Sequence, residues 1–186
     1  SYLSNGGYKA AKALMDGYWE TVPASGKDES PYRAGFAQVG CVAETAAGAE
    51  RLYADHVLYF YNRCLHVNLG FSDPPGYRTV KTIQAGKLNQ FRAENQRLFT
   101  QLTWKELVDG GYVIAGSPET VRERMEFMIK SLRLGTLFLL FQIGNMPDDK
   151  VRNPTKLFAE RVMPQLRDTW PEWKNDDRFW CKPLET

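Results

Sequence analysis

Chemistry in this chain is most concentrated around residues 111–125, "GYVIAGSPETVRERM", where a short apolar run ends in Gly-Ser-Pro-Glu and a helical pattern starts at once. Such a strand-to-helix junction faces the ligand in α/β proteins. Gly116 and Ser117 can offer backbone N–H groups to a phosphate there, although Pro118 removes one donor. The plainer reading is a cap, with Ser117 at N-cap, Pro118 at N1 and Glu119 complementing the helix dipole. A second group closes the run "TLFLLFQIG", residues 136–144. Gln142 in so apolar a stretch needs a polar partner, either backbone or ligand. With Gly144 and Asn145 it can line a pocket at the carboxyl end of a strand, or be satisfied within the fold.

The remaining reactive residues are sparse. Two histidines, His56 and His66, are too few for a zinc site built from imidazoles, and His66 follows Cys64 too closely for metal spacing. His56 falls on the apolar side of its helix and reads as a packed, hydrogen-bonded residue. Cys41, Cys64 and Cys181 are widely spaced and odd in number, which points to reduced thiols in a cytoplasmic protein. Tyr77 and Arg78 in "PPGYRT" lie in a solvated loop or a lid. The segment "TWPEWKNDDRFWC" holds three of the five tryptophans, so the tail (residues 169–186) is an interface or a strap over its own domain. The chain has 186 residues, is 43% hydrophobic and 25% charged, and carries a formal charge of +2. That suits one globular domain, with scattered Lys and Arg that suggest no nucleic-acid groove, and no apolar run of membrane-spanning length.

The elements that must position these groups follow from periodicity. Residues 8–20 place Ala11, Leu14, Met15 and Tyr18 at helical spacing, and 22–31 read as a loop. Residues 33–43 are small and apolar, as in a strand buried on both faces of a parallel sheet. Thr45 caps a helix bearing Ala49, Leu52, Tyr53, His56 and Phe60 on one side. Residues 67–85 form a long polar connection, 86–99 return to helix, and Thr103 with Glu106 is a capping box. Residues 112–116 form the strand that enters the Ser117 helix, whose stripe is Val121, Met125, Met128, Ile129 and Leu132, with Gly135 as its C′ residue. Residues 136–143 form a third strand. Asn153 and Pro154 read as the next cap and N1, followed by Leu157, Phe158, Val162 and Leu166, with a break at Pro164. Strands alternating with helices give parallel βα units. Three strands fall short of the eight of a closed barrel.

"YVIAGSPETVRERM", then "FLLFQIGNMPDDKV", then "KLFAERVMPQLRD" resemble the closing segments of the luciferase-like flavin-dependent monooxygenases. In that family a "GsPe-V" turn follows the seventh strand, a "G-mP" loop follows the eighth, and an "lFa-eV-P-lr" helix ends the barrel. "FAQVGCVAETAAGAERLY" resembles the sixth strand and its helix, so the resemblance runs in order over residues 8–170. It implies the C-terminal part of a TIM-like (β/α)8 barrel, about three parallel βα units with a helical insertion at residues 67–110. It also implies reduced flavin mononucleotide (FMN) from a partner reductase, or a deazaflavin in a sister group, held at the carboxyl ends of the strands. The chemistry implied is dioxygen-dependent oxidation of a small organic substrate. Gly116 and Ser117 are then candidates for the cofactor, and Gln142, Gly144 and Asn145 for the flavin or substrate pocket. The earlier strands, with much of the flavin grip and the catalytic residues, lie outside such a portion. Weak or absent FMN binding by this chain alone is therefore expected, with the N-terminal half of the barrel as a partner. A non-catalytic half-barrel that acts by association, or a deazaflavin-dependent oxidoreductase, are the alternatives. An open sheet edge and apolar face need a cover, and a homo-oligomer is the favoured one.

Overall fold

The computed structural model describes residues 2–3, 7–64, 80–81 and 102–179. Outside these fall the helix expected at 86–99, His66, Tyr77, Arg78, Cys181 and most of the 67–110 insertion. The described elements are β1 (Tyr2–Leu3), α1 (Gly7–Ala24), β2 (Gly35–Val42), α2 (Ala46–Tyr59), α3 (Trp104–Asp109), β3 (Val113–Gly116), α4 (Pro118–Leu132), β4 (Thr136–Leu140), α5 (Asp148–Arg161) and α6 (Met163–Leu166).

The three expected strands are present and mutually parallel. β2 pairs with β3 from Val39↔Val113 to Val42↔Gly116, and with β4 from Gly35↔Thr136 to Val39↔Leu140. Val39 thus has a partner on each side, and β2 is the central strand. β1 pairs with Phe36 and Ala37, on the edge shared with β3. This is an α/β fold built from the parallel βα units of a TIM-like barrel portion, laid side by side as β3-β2-β4.

That order places helices on both sides. α2 leads from β2 to β3, and α4 leads back past β2 to β4. Right-handed crossovers that travel in opposite directions put their helices on opposite faces. Accordingly Val39, Cys41, Val113 and Ala115 pack with Tyr53, Val57 and Leu107 of α2 and α3. Phe36, Val42 and Ile114 pack with α1, α4 and α5 on the other side. β2 is buried on both faces, as its small apolar sequence requires. Its one large polar residue, Gln38, is 2% exposed and donates to Tyr112 O at 2.9 Å. That bond ties β2 to the start of β3.

Local signals explain most of the ends. Thr45 Oγ1 accepts from Gly48 N at 3.0 Å, and Thr103 with Glu106 forms the full capping box. Ser117 Oγ accepts from Thr120 N at 3.3 Å, with Pro118 at N1. The whole stripe Val121, Met125, Met128, Ile129 and Leu132 is buried. Each such side chain contributes about 1.5–3 kcal/mol through burial.

Four expectations are corrected. The first helix extends to Ala24, three residues into the segment read as a loop, and residues 25–30 remain non-helical. Its buried face is Tyr8, Ala11, Met15 and Val22, while Leu14 and Tyr18 are 53% and 39% exposed. The stripe turns toward Trp19, whose indole N–H donates to Leu132 O at 2.9 Å. The left-handed residue ending α4 is Arg133 at φ 51°, with Leu134 N bonded back to Ile129 O at 3.0 Å, so Gly135 is not the C′ residue. Gly135 is needed for another reason: a Cβ there would stand 2.4 Å from Tyr32 N. α5 begins at Asp148, not at Asn153, because Pro147 fixes the entry and Asp148 and Asp149 complement the first turn. Pro154 lies inside that helix. β4 ends at Leu140, three residues early, and is exposed on one face rather than buried throughout.

Replacing Ser117 with Ala should lower stability by about 1 kcal/mol. Urea denaturation followed by circular dichroism checks this: the midpoint should fall with an unchanged slope, and an unchanged midpoint would mean that the cap contributes nothing.

Candidate functional site

The carboxyl ends of β2, β3 and β4 open on one end of the sheet. β2 leaves through Ala43, Glu44 and Thr45, and β3 through Gly116 and Ser117. The ladder continues past the strands, since Ala43 N donates to Gly116 O at 3.1 Å. Arg161, at the end of α5, donates to Glu44 Oε2 and to Glu119 Oε1, both at 2.8 Å. One guanidinium thereby bridges the exits of two neighbouring strands. A cleft of about 420 Å³ lies beside it, walled by Val42, Leu52, Pro154 and Leu157 with the exposed Glu44 and Lys156. α2 and α5, which flank this cleft, lie on opposite faces of the sheet. The crevice outside the carboxyl ends of the strands, where connections diverge to opposite faces, is where open α/β sheets bind ligands. Glu44 and Arg161 carried no signal in the sequence, because they are 117 residues apart.

Gly116 and Ser117 stand at this end, in a helix terminus closed by its own residues. Pro118 has no N–H, Thr120 N–H is taken by Ser117 Oγ, and Val121 N–H bonds to Ser117 O at 2.8 Å. The backbone N–H of Glu119 bonds to its own carboxylate, which is the foremost cause holding that carboxyl below the usual range; Ser117 and Arg161 add to it. Gly116 has φ 147°, and the Thr120 side chain packs against it where a Cβ would be, at 3.0 Å. The N–H groups of Thr120 and Val121 are thus engaged within the helix terminus.

Gln142, Gly144 and Asn145 form a clasp. Gln142 Nε2 donates to Met146 O at 3.2 Å within the β4 exit. His56 Nδ1 donates to Asn145 Oδ1 at 2.7 Å, joining α2 to that exit. Gly144, at φ 60°, rests on the His56 carbonyl, where a Cβ would be 2.2 Å from the oxygen. His56 is thus the half-buried, hydrogen-bonded residue its helical position suggested.

Beneath the exits lies a buried group, Cys41, Tyr53 and Tyr61, of which Tyr53 alone stood on a helical stripe read from the sequence. Burial pushes the thiol and both phenols well above their ordinary ranges, so all three stay neutral. Tyr61 donates to Tyr112 O at 3.3 Å, while the fully buried Tyr53 hydroxyl has no hydrogen-bond partner among the described residues. A neutral Cys41 is a packing residue and a poor nucleophile. Among the described residues no group of His, Cys, Asp and Glu is placed to hold a metal ion.

The lowered Glu119 group favours the folded state above the usual glutamate range, and that contribution disappears as pH falls through the lowered value. Arg161→Gln should raise the Glu119 titration midpoint partway toward the ordinary range, because the backbone N–H remains. Carbon-detected NMR titration of the side chain reads this directly, and an unmoved midpoint would show that the bridge does not form in solution.

No family model matches the chain, and no curated protein matches it in sequence. Solved structures do match in fold. Over 88% of the chain it resembles the monooxygenase RslO1 from Streptomyces bottropensis, with a TM-score of 0.53 and 14% identity. Over the same share it resembles a type II Baeyer–Villiger monooxygenase, the oxygenating constituent of 3,6-diketocamphane monooxygenase from the CAM plasmid of Pseudomonas putida in complex with FMN, with a TM-score of 0.51 and 20% identity. The chain spans 40% and 41% of the lengths of these two proteins. In fold, the chain is the counterpart of a portion of these two monooxygenases.

Proposed function

We propose that this chain is the C-terminal portion of a flavin-dependent monooxygenase that oxidises a small organic substrate with reduced FMN and dioxygen. The observation that carries this reading is the fold likeness to two monooxygenases over 88% of the chain, one of them in complex with FMN. The cleft at the strand exits supports it, since it lies at the end of the sheet where parallel βα units present their ligands. When bound, reduced flavin supplies the electrons that activate dioxygen. This chain's share is positional: Arg161 holds the exits of β2 and β3 together, and Val42, Leu52 and Leu157 form an apolar wall that excludes water. A flavin reductase and the N-terminal half of the barrel are the proposed partners.

A second reading, a non-catalytic half-barrel that acts by association, is favoured by one observation. At the helix terminus expected to grip the cofactor, the Thr120 and Val121 N–H groups are engaged by Ser117. A deazaflavin in place of FMN is the third possibility, separated from the first by which cofactor binds. Among the described residues no helix is long and apolar enough to cross a membrane.

Titrating the chain with FMN while following flavin fluorescence should show weak binding without saturation. The same titration on the product of the reading frame extended upstream of Ser1 should show saturable binding, with dioxygen uptake when reduced FMN is supplied. An extended product that adds no strands and does not bind FMN would overturn the monooxygenase reading. Preference for a deazaflavin would move the chain to the sister group.

A further inference from the structure

A second cavity, of about 290 Å³, lies away from the strand exits, between the start of α1, the turn from α3 into β3, and α4. Its size is at the small end of ligand-binding cavities. Val113 and Ile114 of β3 form an apolar floor, and Tyr8, Lys9, Asp109 and Arg124 supply the polar lining. Arg124 differs from the other basic residues of α4 and its end. Arg122 pairs with Glu126 at 2.9 Å, Lys130 with Glu126 at 2.6 Å, and Arg133 with Glu29 at 2.9 Å. Arg124 forms no salt bridge among the described residues, and its hydrogen bond to Ala115 O is long, at 3.5 Å. A guanidinium carries five N–H donors, so most of them stay open to a ligand. Lys9 Nζ donates to Asp109 O at 2.6 Å, which fixes the ammonium beside the cavity with further donors to spare. Tyr8 is only 8% exposed, and its ring packs on Gly111, where a Cβ would stand 2.7 Å from it. The Tyr8 hydroxyl has no hydrogen-bond partner among the described residues. Burial pushes it above the ordinary phenol range, with Arg124 opposing, so it stays protonated and able to donate. The carboxylate of the lining, Asp109, is already paired with Lys105, the foremost cause holding it below the usual range, and Lys9 and Arg124 add to that effect. With Asp109 neutralised by Lys105, the charges of Lys9 and Arg124 leave the cavity positive.

We propose that this cavity binds a phosphate group, with Arg124 and Lys9 contacting its oxygens and the Tyr8 hydroxyl donating to one of them. The guanidinium fork matches the spacing of phosphate oxygens, and bonds from charged donors are the strong ones. Donors on α1 and α4 approach from different sides, which suits an oxyanion with several acceptor oxygens better than a carboxylate with two. A phosphate oxygen also satisfies the buried Tyr8 hydroxyl, whose lack of a partner otherwise costs free energy. The floor of Val113 and Ile114 gives an apolar surface to the organic part of a phosphate ester. This site shares no residue with the cleft at the strand exits, so it does not rest on the flavin reading.

Titration of the chain with inorganic phosphate at neutral pH and constant ionic strength, followed by NMR of the backbone amides that line the cavity, should give saturable shifts at Lys9 and Ile114. Arg124→Gln and Tyr8→Phe should each weaken binding about tenfold, with unchanged far-ultraviolet circular dichroism. Arg122→Gln, on the same helix but outside the cavity, should leave the midpoint where it is. Phenyl phosphate is titrated in parallel: tighter binding than inorganic phosphate assigns the cavity to a phosphate ester, and weaker binding assigns it to the free ion. Shifts that rise linearly without saturation, a midpoint unmoved by Arg124→Gln and Tyr8→Phe, or equal weakening by Arg122→Gln would overturn the proposal. Tyr8→Phe keeps the ring on Gly111, so it decides alone should Arg124→Gln fail to fold.

Discussion

β2 has neighbours on both edges, and the architecture depends on that arrangement. Val39 pairs with Val113 on one side and Leu140 on the other, so the strand is enclosed in the plane of the sheet. With β3 and β4 on opposite sides, successive crossovers must run in opposite directions, and their helices must cover opposite faces. Burial of β2 on both faces follows, and so does its composition of Gly, Ala, Val and Cys. Gln38 is tolerated in such a strand because Tyr112 O satisfies it, and an unpaired amide there would cost several kcal/mol. In a closed barrel the second face would be filled by inward-pointing side chains. In this chain α2 and α3 cover it.

The same arrangement creates the cleft and the ties around it. Three strand exits meet at one end, and each is fixed by a contact distant in sequence: Arg161 between Glu44 and Glu119, the Asn145–His56 hydrogen bond, and the packing of Gly144 against the His56 carbonyl. The Arg161 pairs are exposed and screened by solvent, so their role is to orient the exits more than to stabilise the fold. The cleft is therefore held in shape while its wall remains apolar.

Residues 169–179, the described part of the tail, pack back on their own domain. Trp170 donates its indole N–H to Leu134 O at 2.7 Å and packs on the core beside α4. Further along, Arg178 joins Asp28 and Asp176, and Ser30 donates to Asp176 at 2.8 Å. Arg178, foremost, holds the carboxyls of both Asp28 and Asp176 well below the ordinary range, with Arg33 adding to the effect at Asp28. Groups lowered in this way favour the strapped form above the usual carboxylate range, and release it as pH falls through their lowered values.

Much of this protein was legible in its sequence because the signals are local. Caps act over three residues, and Thr45, Thr103 and Ser117 were each read correctly from their neighbours. Helical stripes repeat within a few residues, which made the α4 face readable in full. Apolar runs announced three strands, and their alternation with helices announced parallel pairing. Competition between local signals misplaced the start of α5, where Asn153-Pro154 resembled a cap, although Pro147 with two aspartates supplied the real one. The order β3-β2-β4, the exposure of β4 and the Glu44–Arg161–Glu119 bridge were decided by tertiary structure alone. They depend on which edge meets which across more than a hundred residues, and short-range periodicity carries no information about that. The sequence determined the units and their direction, and long-range packing decided their neighbours and therefore which of their surfaces are left exposed.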